Sequence, residues 1–397
     1  MPGFELFGDA ERKELHDVLE NGVLMRYGFD GMRNGHWKAK ELERELEQRF
    51  GVQHAQLTSS GTTALNVALA VMGVGAGDEV IMPSFTFVAS FESIMASGAT
   101  PVLVEIDDTL TLDPAAVEAA ITSKTKVVMP VHMCGSMADL DALKAICKKH
   151  DLLLLEDACQ AFGGTYKGEM LGSIGDAGTF SFDFVKTITC GEGGAVLTNN
   201  SDYALHADQY SDHGHDHVGS DRGAETHPIL GYNYRISELH AAVGLGQIRK
   251  MDDFIAIQRR NHAIIKEALS TIKEVSFRRI PDPEGNSCGF LSFFMPTAEL
   301  SNKVVEAFKE HGIDGYWNYF NNNWHYIRRW DHLKEVKSLF PLSDHIKEGL
   351  KNLQNKKFPQ SDDIISRNIS CLIKLSWTEE EVKDRADRMA KAIKSIL

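Results

Sequence analysis

The sequence has no CxxC pair. Its six cysteines (Cys134, Cys147, Cys159, Cys190, Cys288 and Cys371) are dispersed through 397 residues. That argues against a zinc ribbon and a disulfide framework, and a reducing cytoplasm is the expected setting. Positive charge is also short: the net charge is -14. A nucleic-acid partner would need a basic face, so none is expected. An acidic total still permits a local basic pocket for a small anion. No apolar run approaches the ~20 residues needed to cross a bilayer, so no membrane partner is expected. The opening "MPGFELFGDAERKELHDVLENG" lacks a basic region followed by an apolar one, the mark of a signal peptide. Internal repeats and low-complexity stretches are missing too.

Present instead, from about Leu57 to Thr198, is an alternation of short apolar runs with amphipathic stretches. Glu79–Met82, Thr100–Ile106, Lys126–Met133, Leu152–Asp157, Thr179–Phe182 and Ala195–Thr198 read as strands. "SSGTTALNVALAVMG" reads as a helix with a Ser/Thr start, and Ser136–Asp151 as a capped helix with a basic last turn. Near-continuous apolar strands with helices between them imply an α/β fold: a mostly parallel sheet covered on both faces. A long helical passage, about Ser237–Leu269, leads out of it. The remainder holds a strand in "CGFLSFFMPT", a helix in "SNKVVEAFKEHGI", the irregular aromatic stretch "YWNYFNNNWHYIRRW", and a last helix opened by Thr378. The expected division is 1–260, a leading segment plus a large α/β domain, and 261–397, a smaller α+β domain.

Lys186 raises the chemical question. It sits between two apparently buried strands in a loop bounded by Gly191, Gly193 and Gly194. A lysine there is a solvated loop charge or a nucleophile, and its company decides. "SSGTTAL" offers Gly61, Thr62 and Thr63 at a helix start, where exposed N–H groups and the helix dipole would hold a phosphate. "LLLLEDACQ" ends an apolar strand on Glu156 and Asp157, and a carboxylate so placed needs a cation or hydrogen bonds. "PSFTF" offers Phe85 or Phe87 as a flat face. Open α/β sheets gather such stretches at the carboxyl ends of their strands. A phosphate cradle, a carboxylate needing a cation, an aromatic face and a lysine describe a pyridoxal 5'-phosphate pocket. Lys186 would form the Schiff base and, when freed, move the proton. Asp157 would pair with the pyridinium nitrogen, Phe87 would stack on the ring, and Ser181 would join the phosphate cradle.

Two decoys are set aside. "GVGAGDE" (Gly73–Glu79) follows a helix and precedes a strand, the reverse of a dinucleotide fingerprint, and reads as a turn. "HADQYSDHGHDH" (His206–His217) fits no regular ligand face and reads as a loop, so no metal site is expected.

The pieces "SSGTTAL", "PSFTFVAS", "VHMCGSMADLDAL", "EDACQAFG", "SFDFVKTITCGEGGAVLTN" and "GYNYRISELHAAVGLGQI" stand in one order along most of the large domain. In them the chain resembles the DegT/StrS family of pyridoxal-phosphate-dependent sugar aminotransferases, which have the aspartate aminotransferase fold (fold type I). The resemblance implies a homodimer with shared active sites and L-glutamate as amino donor. It implies contacts from Gln160 to the ring's phenolic oxygen and from Asn233 of the partner to the phosphate. It also implies a keto-sugar acceptor and an amino sugar for lipopolysaccharide or another surface glycan. An 8-keto octulosonate and nucleotide-linked 3- or 4-keto hexoses are the acceptors it leaves open. Candidate substrate contacts are Tyr234, Arg235, Trp317, Tyr319, Trp324, His325, Arg328 and Arg329, the last two as partners for a carboxylate. Two departures stand out: Asp183 where the family usually has histidine, and a segment Gly315–Pro359 rich in Asn and Trp. The first predicts a local change in loop packing or substrate contact. Relatives with histidine at the lysine position are sugar dehydratases; Lys186 speaks against that activity, and the set of Lys186, Asp157, Gln160 and Ser181 against a non-catalytic regulator.

Overall fold

The computed structural model describes residues 2–219, 223–339 and 341–397. Its first sheet is built from β1 (His54–Thr58), β2 (Glu79–Pro83), β3 (Thr100–Val104), β4 (Thr125–Val128) and β5 (Leu153–Asp157). After a two-stranded hairpin, β6 (Thr165–Tyr166) and β7 (Glu169–Met170), β8 (Ala177–Ser181) and β9 (Gly194–Thr198) complete it. The order is β1-β9-β8-β5-β4-β2-β3. From β8 to β3 every pairing is parallel, and β9 runs antiparallel to both its neighbours.

Alternation explains why both faces are covered. Val80, Met82, Val127 and Leu155 join one apolar cluster with Leu65 and Leu69 of the helix Gly61–Val71. Their neighbours Ile81, Val128 and Leu154 join another with Leu140, Leu143 and Ile146. Successive side chains point to opposite faces, so a strand buried on both sides must be apolar throughout.

The second sheet is antiparallel, in the order β10 (Ser276–Phe277), β11 (Phe290–Phe294), β13 (Asn368–Leu372), β12 (Tyr316–Trp317). Ile265, Leu269, Val304, Phe308 and Met389 from three helices back it. The expected architecture is thus present: a mostly parallel, mixed sheet between helices, plus a smaller α+β unit.

Three local expectations need correction. The helix expected over Ser136–Asp151 spans Leu140–His150, because Asp139 accepts the Ala142 N–H as its cap and Ser136 is extended. The passage Ser237–Leu269 is two helices, Glu238–Ile248 and Met251–Ser270. The His-rich stretch is not all loop: the helix Ser201–Ser211 carries its first half, capped by Asn200. Within Gly315–Pro359, of which residue 340 lies outside the described residues, Tyr319, Tyr326, Trp330, Ile346 and Leu350 belong to the same apolar cluster as Val80 and Phe91. This segment therefore packs on the large sheet's side. No helix among the described residues is long and apolar enough to cross a membrane.

Candidate active site

β5 ends on Glu156 and Asp157, and the two adjacent carboxylates point to opposite faces. Glu156 is fully buried as a structural clasp. Its oxygens accept from Ile174 N–H (2.7 Å), Gly175 N–H (2.8 Å), Gly172 N–H (2.9 Å) and His132 Nε2 (2.9 Å). His132 Nδ1 accepts from Ala138 N–H at 3.2 Å, which assigns the proton to Nε2. Burial pushes the Glu156 carboxyl up, but the hydrogen bonds outweigh it and its pKa lies below the ordinary value. Asp157 is far less engaged: Oδ2 accepts from Ser90 Oγ at 2.7 Å and Oδ1 from Cys159 N–H at 3.2 Å. It is 3% exposed, with no cation bonded to it among the described residues. A buried carboxylate in that state is set for a cationic partner.

Ser60 caps the helix Gly61–Val71. Its Oγ accepts from Thr63 N–H, and Thr63 Oγ1 accepts from Ser60 N–H, closing a capping box. Thr63, expected in the phosphate cradle, is thereby committed to the cap. The N–H groups of Gly61 and Thr62 open the helix without a partner among the described residues. Gly61 is pressed against Ser181 at the end of β8: a Cβ there would lie 2.7 Å from the Ser181 Cβ. Tyr234 lends its carbonyl to Ser59 N–H at 2.8 Å, which sets the "GYNYR" segment beside this cradle, with Asn233 exposed.

Lys186 follows β8 in a loop tightened by Asp183. The Asp183 carbonyl accepts the Lys186 N–H at 3.0 Å, and its Oδ1 accepts the Val185 N–H at 3.0 Å. Asp183 thus acts as a turn device. The Lys186 amine has no ion-pair partner among the described residues. It lies close enough to two half-buried groups, Cys159 beside Asp157 and His325, for its charge to act on both. Burial and that charge depress the His325 pKa to about 3, so the imidazole is neutral. Its Nδ1 bonds to Asn322 Oδ1 at 3.0 Å, which leaves Nε2 as the acceptor.

Phe87 and the aromatic segment form one unit. Thr86 N–H donates to the His325 carbonyl (3.0 Å) and Val88 N–H to that of Trp324 (2.9 Å). Trp324 lies parallel to Phe87 at 5.6 Å between centroids, with His325 edge-on at 5.4 Å, and Phe87 is still 36% exposed. Tyr319 backs His325 at 5.0 Å. Gln160 accepts the Cys134 N–H on Oε1 at 3.1 Å, which turns its NH₂ donor the other way.

Other candidates are spoken for. Arg328 makes a two-pronged pair with Asp362, which also accepts from Tyr326 Oη at 2.6 Å; Arg329 is exposed, forms no close ion pair among the described residues, and acts on Asp331 only through its charge. Arg235 pairs with buried Asp212. Asp212 also bonds to His217 Nε2 at 3.1 Å, and Asp208 to His217 Nδ1 at 2.6 Å. No group of three or more His, Cys, Asp or Glu among the described residues is arranged to hold a metal. Sequence reasoning missed Ser90, although it stands in the quoted "PSFTFVAS". It also missed Arg278, whose buried guanidinium holds the Met133 carbonyl at 2.8 Å behind the Cys134–Gln160 contact.

These groups fit pyridoxal phosphate: two open helix N–H groups against Ser181, a buried carboxylate awaiting a cation, a half-open aromatic face and a lysine without an ion-pair partner among the described residues. The chain matches the model of the DegT/DnrJ/EryC1/StrS aminotransferase family over residues 8–356. It is 41% identical to the GDP-perosamine synthase of Caulobacter vibrioides over 261 residues, 66% of this chain and 68% of that one. It is 42% identical to the L-glutamine:2-deoxy-scyllo-inosose aminotransferase of Streptoalloteichus tenebrarius over 296 residues, 72% and 68% of the two chains. A sugar aminotransferase structure from Streptococcus pneumoniae in its PLP form superposes with a TM-score of 0.81 at 25% identity, covering 98% of this chain and 97% of that one. The fold is that of the type I pyridoxal-phosphate enzymes, the activity is transamination with that cofactor, and the chain belongs to the DegT/DnrJ/EryC1/StrS aminotransferase family.

Proposed function

We propose that this enzyme moves an amino group from L-glutamate to the carbonyl of an 8-keto octulosonate, making 8-amino-3,8-dideoxy-manno-octulosonate for lipopolysaccharide. The observation that carries the amino-transfer reading is a Lys186 with no ion-pair partner among the described residues, within electrostatic reach of Cys159 and so of the buried Asp157 two residues away, which bonds no cation among them either. Pyridoxal phosphate, when bound, supplies an aldehyde that captures an amine covalently and a ring that takes up the electron pair of a broken C–H bond. Lys186 Nζ would hold the cofactor and, when free, would take the proton from the donor's α-carbon. Asp157, oriented by Ser90, keeps the ring nitrogen protonated. Gly61 and Thr62 N–H groups with Ser181 Oγ hold the phosphate, and Asn233 of a second copy completes that cradle. Gln160 donates to the phenolic oxygen, and Phe87 covers the ring.

In this reading acceptor choice falls to the segment clipped onto Phe87. Trp324 offers a flat wall, neutral His325 an acceptor for a sugar hydroxyl, and Arg329 a cation for a carboxylate. With Arg328 held by Asp362, carboxylate recognition rests on Arg329. Tyr234 and Arg235 line the approach to the cradle. Residues 1–260 and 261–397 serve as cofactor-holding and small domains, with the aromatic segment bridging them. The enzyme works as a cytoplasmic homodimer.

A second acceptor class, a nucleotide-linked 3- or 4-keto-6-deoxyhexose, is favoured by the likeness to GDP-perosamine synthase. The test is a visible spectrum with and without L-glutamate, followed by an acceptor screen. The expected result is a yellow protein that bleaches with glutamate and then yields the 8-amino octulosonate. Turnover of a nucleotide-linked keto hexose with none of the 8-keto octulosonate would move the assignment to the second class. A 3-deoxy product without net amino transfer would replace it with a dehydratase.

A further inference from the structure

The geometry points to the amino-terminal residues Gly3 and Phe4 as positioning residues for Lys186. The inference rests on the reading of Lys186 as the cofactor-bearing amine.

The loop that carries Lys186 is anchored in the core on either side by Phe182, Ile188 and Cys190. Its tip is not: Phe184 and Val185, just before the lysine, are each more than half exposed (53% and 52%). That tip is held by a strap from far away in sequence. Gly3 N–H donates to the Lys186 carbonyl at 2.9 Å, while the Lys186 N–H is held by Asp183. Both backbone polar groups of the lysine are thus engaged, one inside the loop and one by the strap. The approach is so close that only glycine fits. A Cβ on residue 3 would lie 2.4 Å from the Thr187 carbonyl and 2.0 Å from Gln247 Oε1. Next to it, the Phe4 ring stacks on Phe184 at 4.3 Å with a 6° tilt. The strap is itself fastened on its other side. Glu5 Oε2 accepts from Leu375 N–H (2.7 Å) and Ser376 N–H (2.9 Å), just beyond β13, and Lys250 Nζ donates to the Leu6 carbonyl at 2.7 Å.

A lysine side chain has four rotatable bonds, so its amine is aimed only as well as its backbone is fixed. Removing the stack or the Gly3 hydrogen bond frees the loop and spreads the amine over more positions. The consequence is a shift in the protonation of the lysine–cofactor linkage and a slower capture of the cofactor, without loss of any group that touches it.

The experiment compares wild type, Phe4→Ala, Phe4→Tyr and a chain lacking residues 2–5. The readouts are the pH midpoint of the holoenzyme's visible band and the rate at which that band returns when pyridoxal phosphate is added to apoprotein. Melting of the apoprotein is followed in parallel. The expected result for Phe4→Ala is a displaced midpoint and a return about five- to tenfold slower, the effect of losing one stack, and for the truncation, which loses the stack and the Gly3 hydrogen bond together, a larger change in the same sense. Phe4→Tyr, which keeps the stack, restores both. Wild-type midpoint and return rate in Phe4→Ala and the truncated chain would overturn the inference, including where the truncated chain only melts earlier. Lys186→Ala separates the two levels: a band that survives it removes the parent reading and this inference together. A band lost with Lys186 but indifferent to the strap removes the inference alone.

Discussion

Ser90 donates a 2.7 Å hydrogen bond from Oγ to Asp157 Oδ2, and both residues are buried. Ser90 belongs to the helix that Phe87 opens. The flat face and the carboxylate assigned to opposite roles on the cofactor ring are therefore tied through one short helix. Ser90→Ala removes a hydrogen bond to a charged group, of about 1.5–3 kcal/mol, and is expected to weaken pyridoxal phosphate binding about tenfold to a hundredfold. Fluorescence titration of the apoprotein checks this; unchanged affinity would strike Ser90 from the site.

His132→Ala leaves Glu156 charged and short of one buried donor. The apoprotein should lose about 2–4 kcal/mol and melt several degrees lower. The Glu156 pKa is held below its ordinary value of 4.5. Its contribution is therefore full above that value and is lost as pH falls below it. The gap in melting temperature between wild type and variant should narrow in acid, which a melting series across pH 3.5–7 reads out.

His217 titrates in the opposite sense. Burial works against its charged form, but Asp208 and Asp212 outweigh it and raise the pKa to about 9 from 6.5. Its stabilisation is full below 6.5 and disappears as pH rises through about 9. The wild type should lose stability across that window, and His217→Gln should show a flatter profile. Parallel curves for the two proteins would refute the role given to His217.

The two neighbouring arginines should behave differently. Arg329→Ala is expected to raise KM for an acidic keto sugar about tenfold or more, the cost of one lost charge-assisted pair, with the glutamate half-reaction untouched. Arg328→Ala breaks the Asp362 pair and should show its effect in melting rather than in acceptor KM. Equal effects on KM would mean that the Asp362 pair opens when the acceptor binds.

Neutral His325 gives a fifth expectation. With its pKa near 3, it does not change charge in the working range. Rates with saturating acceptor should carry no inflection from it between pH 5 and 9. His325→Phe keeps the packing on Phe87 and Tyr319 but loses the Nε2 acceptor. It should lower kcat/KM for the acceptor while leaving bleaching by glutamate intact; a loss confined to the glutamate step would contradict the acceptor role.

Much of this site was legible because its parts are local. Strand ends, glycine-bounded loops and Ser or Thr caps are short patterns, and Ser60, Ser237 and Thr378 cap helices where the sequence suggests. Patterns fail where a residue has two possible partners. Thr63 looks like a phosphate ligand until the capping box takes its hydroxyl, and Ser136 looks like a cap until Asp139 takes the Ala142 N–H. The break between the helices Glu238–Ile248 and Met251–Ser270 coincides with Lys250, which reaches back to Leu6 and Glu11. No local pattern carries such a contact.

The amino-acid order alone determined the parallel sheet, the placing of Lys186 and Asp157 near strand ends, and the family. The first two follow from hydrophobic period and from residues a few positions apart, and the family from the resemblance of its ordered motifs. Only the tertiary structure decided which charges are free. Arg328 is spent on Asp362 and Arg235 on Asp212, while the Lys186 amine has no ionic partner among the described residues. It also decided that Gly3 grips Lys186, a residue far from it in the sequence. The physical reason is that polar groups pair by distance in space, and chain separation sets no limit on that once the core has brought the segments together.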